Sequence, residues 1–259
     1  MTVVLNEHEW AKEMIETKSL GKKPFETLSR VAKYYIDKSY SKKDVRKMLD
    51  TFLIQCDPSA SLPKWSNTID YALERALKYN AITIDYININ KPELDVIDKL
   101  EGTQLRRLAF TLLCLAKYWD IVNPNGNHWV NSKDCDIMRM ANINTSIKRQ
   151  SQMYHTLNSM GLIQFSKKVD NTNVRVCFLH DGEGILQISD FRNLGYQYLQ
   201  YQGEPYFKCK NCGVTTRYDN PANKNSLSKQ KYCKSCAAEL NIQQTINSVM
   251  RRRNVKNMI

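Results

Sequence analysis

The chain has 259 residues, of which 42% are hydrophobic and 25% charged, and its 38 Lys and Arg against 26 Asp and Glu give a net charge of +12. With only 9 Gly and 7 Pro, this composition excludes a chain that is disordered throughout or of low complexity, and the length suits two or three small domains. The longest apolar run, residues 112–116, is far shorter than the ~20 residues of a membrane-spanning helix, and residues 1–8 lack the pattern of a secretory signal, so we expect a cytoplasmic protein without membrane contact.

Residues 1–100 are predicted to form a helical bundle. Three amphipathic stripes follow one another, with Ser41 and Ser66 at positions where helix caps are expected. The run from Gly21 to Ala76 resembles the helical domain at the C-terminus of some primase and replication proteins of plasmids and phages. Only 20 residues precede this run, so we expect the catalytic primase domain to be missing, and the resemblance implies an accessory role.

Residues 101–180 are predicted to form a winged helix-turn-helix. Apolar residues recur at helical spacing over 104–121, and a short second helix is expected from near Ser132 to Met140. A third helix, capped by Thr145 or Asn144, is expected to end at Gly161, a residue that favours the left-handed geometry of a helix C-terminus. Its predicted apolar stripe consists of Ile147, Tyr154, Leu157 and Met160. Three helices in this order indicate a helix-turn-helix.

Two runs rich in β-branched and aromatic residues follow the third helix, at 162–169 and 174–179, and the polar residues between them predict a hairpin. The passage from Tyr154 to Ile163, in which a helix ends at glycine and continues directly into a strand, is similar to the recognition-helix-to-wing transition of many bacterial winged-helix proteins. That resemblance implies a fold; it leaves open whether the domain binds DNA or another protein.

If this domain binds DNA, the polar face of the third helix is expected to contact base edges and the hairpin to contact phosphate. Arg can pair with guanine and Gln with adenine through two hydrogen bonds each. His155 lies at the margin of the polar face. The predicted DNA-binding residues here are Thr145, Ser146, Lys148, Arg149, Gln152, Lys167, Lys168 and Arg175.

Residues 181–205 are predicted to be a linker. They begin with the flexible sequence Asp181-Gly182-Glu183-Gly184. A group of aromatic residues follows, which either packs between domains or stacks on single-stranded bases. These aromatic residues are Tyr196, Tyr198, Tyr201, Tyr206 and Phe207.

Residues 206–259 are predicted to form a zinc ribbon followed by a basic helix. Two CxxC pairs, Cys209 with Cys212 and Cys233 with Cys236, are separated by 20 residues. Each pair can direct two thiolates at one ion, and four thiolates complete a tetrahedral shell without an open position. We therefore predict one structural Zn²⁺; an iron–sulfur cluster or a redox dithiol pair is the alternative. The other cysteines, Cys56, Cys114, Cys135 and Cys177, stand alone and are predicted to be core residues.

The excess positive charge lies mainly in this C-terminal part. Residues 201–259 contain 11 basic and 3 acidic side chains, which is +8 of the total of +12. Arg251, Arg252 and Arg253 follow a partial apolar stripe that is expected to pack on the ribbon, and we predict that these arginines contact phosphate. A four-cysteine ribbon followed by a basic helix resembles zinc modules of bacteriophage and mobile-element proteins that bind nucleic acid.

Catalytic motifs are not found. The sequence lacks GxxxxGK[ST], GxSxG and HExxH, its four His are scattered, and Asp134 and Asp136 fall in the first turn of a helix, where carboxylates favour the helix dipole. The sequence thus predicts a mainly α, non-catalytic protein that binds duplex or forked DNA in the replication, or its initiation, of a phage or mobile element. This prediction leaves open whether the protein also binds a replication protein or a host protein, and whether it forms a homodimer. The alternatives are a transcription regulator and a protein-interaction factor that blocks a host nucleoprotein machine.

Overall fold

The computed structural model describes residues 3–167, 173–220, 222 and 229–256, with side chains described as far as Met250. The described part is mainly helical, as predicted, with small sheets and a cluster of four cysteines near its C-terminal end. The chain divides into two compact units, Thr2–Ile87 and Asn88–Ile259. No helix in the described ranges combines the length and the apolar character needed to cross a membrane.

The first unit consists of helices around one apolar core. Its helices are α1 (Glu7–Glu16), α2 (Pro24–Asp37), α3 (Lys42–Cys56) and α4 (Leu62–Lys78). The side chains of Asn6 and Ser41 cap α1 and α3 by accepting backbone N–H bonds. Ser66 is not a cap, because α4 begins one turn earlier behind Ser61.

A buried carboxylate ties the start of the first unit to its second helix. Glu7 is 3% exposed, and its oxygens accept from Arg30 Nε at 3.0 Å and from Lys33 Nζ at 2.8 Å. The backbone N–H of Ile82 donates to the same carboxylate at 3.1 Å. Burial by itself raises the pKa of Glu7, but Lys33, Ile82 and Arg30 together bring it below its ordinary value.

The second unit is arranged around one long buried helix, α6 (Thr103–Val122), in which residues 108–116 are all buried. The strands are β1 (Ile87–Asn90, beginning at the boundary), β2 (Trp129–Val130), β3 (Ile163–Phe165), β4 (Val174–Val176), β5 (Gly184–Ile188), β6 (Tyr206–Lys208) and β7 (Thr215–Arg217). The other helices are α5 (Lys91–Asp98), α7 (Asp134–Met140), α8 (Ile147–Ser159), α9 (Leu194–Tyr201) and α10 (Lys234–Lys256).

Three small sheets complete the described part of this unit. The strands β2, β4 and β3 form one sheet in that order, with Val174 opposite both Val130 and Phe165. The strand β1 pairs with β5, and β6 pairs with β7. Because β4 lies between β2 and β3, the hairpin predicted from the sequence gains a third strand that the pattern of β-branched residues did not indicate.

The unit boundary differs from the predicted one between residues 100 and 101. Glu93 on α5 is fully buried, pairs with Lys117 of α6 at 2.8 Å, and accepts from the backbone N–H of His180 at 3.1 Å. Asn90, which caps α5, donates to the carbonyl of His180 at 2.6 Å. These bonds tie β1 and α5 to the second unit, so the chain divides at residue 87.

The predicted linker, residues 181–205, is likewise part of the second unit and contains β5 and α9. Tyr198 is 1% exposed and packs on Phe110 of α6, with ring centroids 5.3 Å apart. Gly195 lies so close to α7 that a Cβ atom there would be 2.0 Å from the carbonyl oxygen of Ala141. The two glycines in residues 181–184 suggested a flexible linker. The apolar side chains of α9 that follow them are nevertheless buried against α6.

Candidate functional site

The four predicted metal ligands form one cluster. The Sγ atoms of Cys209, Cys212, Cys233 and Cys236 all lie within 4.8 Å of one another, and those of Cys212 and Cys233 are 3.8 Å apart. A tetrahedron with Zn–S bonds of ~2.3 Å has sulfur–sulfur edges of about 3.8 Å. The spacing and the ligand chemistry therefore fit a single thiophilic metal ion.

The first CxxC pair lies in the turn between β6 and β7. The backbone N–H of Cys209 donates to the carbonyl of Val214 at 3.0 Å, and the N–H of Gly213 donates back to the carbonyl of Cys209 at 2.9 Å. Gly213 has a φ of +72°, a left-handed conformation that suits glycine. This turn directs both sulfurs to the same side of the hairpin.

The second CxxC pair lies at the start of α10 and is joined to the first by hydrogen bonds. The N–H of Lys210 donates to the carbonyl of Lys231 at 2.9 Å, and the N–H of Cys233 donates to Cys209 Sγ at 3.3 Å. Asn211 Nδ2 donates to Cys236 Sγ at 3.4 Å. N–H donors directed at sulfur stabilise the thiolate form, which is the form that binds metal.

The thiol pKa values follow from this geometry. Desolvation by itself raises the pKa of Cys209, but backbone N–H groups at Cys212, Cys233 and Asn211 bring it down to about 6. Desolvation and the neighbouring sulfurs raise the pKa of Cys212 to about 12. Cys209 is thus the more readily ionised of these two thiols, and binding of a cation would release a proton from Cys212.

Sequence reasoning missed the residues that attach this cluster to the rest of the unit. Arg192 Nη2 donates to the carbonyl of Cys212 at 2.8 Å. Asn193 Nδ2 donates to the carbonyl of Thr215 at 3.0 Å, and Asn193 Oδ1 accepts from Asn142 Nδ2 at 2.8 Å. Asn142 belongs to the turn between α7 and α8, so the β6–β7 hairpin that contains the first CxxC pair is bonded through Asn193 to this turn. Both asparagines have a positive φ, 55° and 56°, a conformation that Asn tolerates better than most residues but that the sequence alone does not reveal.

The polar face predicted on the third helix is present on α8. Ser146 caps this helix by accepting from the N–H of Arg149 at 3.3 Å. Met153 and Leu157 are buried on the opposite face. Thr145 is half-buried, and the predicted residues that are exposed are Ser146, Lys148, Arg149 and Gln152.

One apolar residue also lies on the exposed part of α8. Ile147 was expected in the buried stripe, but it is 80% exposed because it occupies the first turn, ahead of the point where α8 meets the sheet. Met160, expected in the same stripe, is 52% exposed.

The three hairpin residues that were predicted to contact phosphate differ in their exposure and in their hydrogen bonds. Lys167 is exposed. Arg175 lies on the central strand β4, is half-buried, and donates through Nε to the carbonyl of Asn127 at 3.1 Å, so that nitrogen has a structural role. Lys168 lies outside the described residues.

The basic C-terminal segment is helical as far as Lys256. The backbones of Arg251, Arg252 and Arg253 belong to α10, and their side chains lie outside the described part of the chain. The apolar stripe before them was expected to pack on the ribbon, but from Ile242 onward its side chains are exposed. Its exposed members are Ile242, Ile246, Val249 and Met250.

The solitary cysteines fall into two groups. Cys114 is buried in α6, as predicted, and Cys56 is half-buried. Cys135 and Cys177 are exposed, contrary to the expectation that they belong to the core.

Comparison of the chain with models of protein families, with curated proteins and with solved structures finds no match.

Proposed function

We propose that this protein is a non-catalytic DNA-binding protein in which residues 103–176 act as a winged helix and the four cysteines hold one structural Zn²⁺. The observation that carries the proposal is the exposed polar face of α8, where Lys148, Arg149 and Gln152 project from a helix whose other face is buried. Such a helix, held by a scaffold on one side, suits insertion into the major groove.

The order of elements supports the winged-helix assignment. Helix α6 is followed by the short strand β2, helices α7 and α8, and the strands β3 and β4, with β2 completing the sheet. This is the arrangement of helices and strands in winged-helix proteins. In such a domain α8 is the recognition helix and Lys167 belongs to the wing.

The charge distribution supports a polyanionic partner. Residues 88–259 contain 24 basic and 14 acidic side chains, whereas residues 1–87 contain 14 basic and 12 acidic. Four thiolates and one divalent cation add a charge of −2, so the second unit stays positive after metal binding. A positive surface draws phosphate to the protein before base edges are contacted.

Zinc is proposed because four sulfur ligands leave no position for water or substrate, which is typical of a structural site. When bound, it would cross-link the two CxxC turns.

The role in replication, or its initiation, of a phage or mobile element is proposed from the resemblances noted above. A protein-interaction factor is the second candidate, and the exposed stripe containing Ile242 and Ile246 favours it.

The test is a series of binding measurements with duplex, forked and single-stranded DNA at about 50 and about 200 mM salt. We expect steep salt dependence for the wild type. We expect Arg149→Ala to change sequence preference by about 1–3 kcal/mol at one base position. Lys64→Ala, which removes an equal charge from the first unit, is the control and should leave sequence preference unchanged. Failure to retain any DNA at the lower salt concentration would contradict DNA binding and favour the second candidate.

A further inference from the structure

A pocket of about 190 Å³ opens between α7, α8 and the sheet. Its lining residues are Asp134, Ser151, Tyr154, His155, Phe165 and Val174. Tyr154 and Val174 form the buried part, being 7% and 3% exposed. The other lining side chains are exposed at the rim, so the pocket has an apolar interior and a polar edge. It is smaller than the roughly 300 Å³ and upward typical of drug-sized ligands, and suits a single small ring system.

The pocket is continuous with the proposed DNA-binding face of α8. Residues three and four apart are neighbours on a helix surface, so Lys148 lies next to Ser151, and Ser151 lies next to His155. A rise of ~1.5 Å per residue separates Lys148 from Ser151 by about 4.5 Å along the axis. A phosphate held by Lys148 would therefore bring its own nucleotide close to the pocket.

The chemistry of the walls suits a planar ring with hydrogen-bond donors on its edge. The rings of His155 and Phe165 are in contact, with centroids 5.3 Å apart, and Phe165 is 39% exposed. Asp134, at the rim, has carboxylate oxygens that can only accept hydrogen bonds when ionised. Tyr154 donates to Asp134 Oδ1 at 3.5 Å, which leaves Oδ2 and the remaining lone pairs for a ligand.

We propose that this pocket receives an unpaired base at a strand junction and prefers bases that carry an exocyclic amino group: cytosine, adenine or guanine. The amino groups, N4 of cytosine, N6 of adenine and N2 of guanine, can donate to Asp134. Thymine has no amino group, and its one ring donor, N3–H, lies between two carbonyl oxygens that repel a carboxylate. A base within a duplex presents only its edges in the groove, so contact with the aromatic walls requires a base that has left the stack. The inference rests on the proposed DNA-binding function and adds to it the kind of DNA that the protein selects.

The experiment measures the affinity of the full chain for four forked oligonucleotides that differ in the one unpaired base at the junction, and for a fork with an abasic site there. We expect the three amino-bearing bases to bind about tenfold more tightly than the abasic fork, since stacking on an aromatic side chain is sequence-tolerant. Thymine should bind more weakly than the other three. Free dCMP is tested as a competitor in the same assay.

Two variants and one matched control make the test specific. Asp134→Asn should abolish the discrimination against thymine, because its amide can donate to a carbonyl oxygen, and Phe165→Leu should weaken binding of all four bases alike. Asp136→Asn changes a carboxylate in the same helical turn that pairs with Arg139 at 2.9 Å and does not line the pocket. This control should behave as the wild type.

The outcomes separate the two proposals. Equal affinity for all five forks, unaltered by Asp134→Asn, would overturn the base pocket and leave DNA binding intact. No binding to any fork would overturn both. Competition by free dCMP as tight as binding to the fork would identify a nucleotide pocket unrelated to strand junctions, and so would also overturn the inference.

Discussion

Cys209 and Cys236 are the most buried of the four clustered thiols, at 3% and 4% exposed. Replacement of Cys209 by Ser removes one thiolate ligand and puts a hydroxyl oxygen in place of the sulfur that accepts from the N–H of Cys233. Because structural zinc contributes roughly 10–16 kcal/mol in finger-sized peptides, we expect Cys209→Ser to release the ion and unfold the β6–β7 hairpin. Metal-to-protein ratio and circular dichroism measure the two effects.

Cys177→Ser is the control for this prediction, because Cys177 is exposed and outside the cluster. It should keep one metal ion per chain. Full metal content in the Cys209→Ser variant would show that the cluster does not ligate the ion.

Replacement of Glu7 should destabilise the first unit. Glu7→Gln removes the carboxylate that pairs with Arg30 and Lys33, which are 5% and 8% exposed, and Arg30 keeps its longer pairing with Glu26 at 3.9 Å. Removing one partner of a buried ion pair costs about 3–5 kcal/mol, so we expect a loss of this size in urea unfolding. Glu9→Gln changes an exposed residue of the same helix and should have little effect.

The same carboxylate predicts a pH dependence. The pKa of Glu7 is lowered in the folded chain from its ordinary value of 4.5, so its ionised form stabilises the fold above that pH. This stabilisation is lost progressively as the pH falls below about 4.5 toward the folded-state pKa. The stability of the wild type should therefore approach that of Glu7→Gln in acid, and a constant difference at all pH values would contradict the assignment.

Gly195 is required by close packing. A Cβ atom at this position would overlap the backbone of α7, and backbone cannot move aside as a side-chain end can. We expect Gly195→Ala to cost at least about 2 kcal/mol in urea unfolding, as overpacking does. Gly182→Ala, whose Cβ would be at an ordinary 3.6 Å from its nearest neighbour, is the matched control. Equal stability of the two variants would contradict the close approach of α9 and α7.

At the scale of elements, α8 and the end of α10 should contribute differently to DNA binding. Replacement of Arg251, Arg252 and Arg253 by Ala should weaken binding to all sequences alike, because arginines that bind phosphate do not distinguish bases. It should also reduce the salt slope by about 0.9 for each phosphate that the variant no longer neutralises. A change of sequence preference in this variant would mean that α10, and not α8, contacts base edges.

The sequence predicts elements well where the signal is local. The stripes of α2, α3 and α6 and the spacing of the four cysteines are local, and the structure bears them out. The unit boundary and α9 depend on distant partners: Glu93 acquires its role from Lys117 of α6, and Tyr198 from Phe110. Helical periodicity also misassigned Ile147, because a residue in the first turn of a helix can precede the surface against which the rest packs.

The pocket and the asparagine pair could not be predicted from the sequence either, because both depend on residues that are distant in the chain. The pocket combines Asp134, Tyr154 and Phe165 from three elements, and no spacing along the chain brings them together. The asparagines at 142 and 193 have ordinary neighbours, and only their φ values and their mutual bond make them notable.

At the scale of the whole molecule, each unit has its own buried core, which contains Leu49 in the first unit and Leu113 in the second. We expect removal of metal by a chelator to destabilise the second unit, including α9 and the turn before α8, and to leave the core of the first unit protected. Hydrogen exchange of α3 compared with that of α9 measures this difference. Equal loss of protection in both helices would contradict the division into units.

The bond between Asn142 and Asn193 spans 51 positions in the chain. During synthesis on the ribosome Asn142 emerges before Asn193, so their bond forms only after Asn193 has been added. Asn193 can bond to Thr215 only after the β6–β7 hairpin has been synthesised. The turn before α8 thus acquires the last of these hydrogen bonds late in biogenesis, and a chain that ends before residue 215 would lack the bond that holds Asn193 in place.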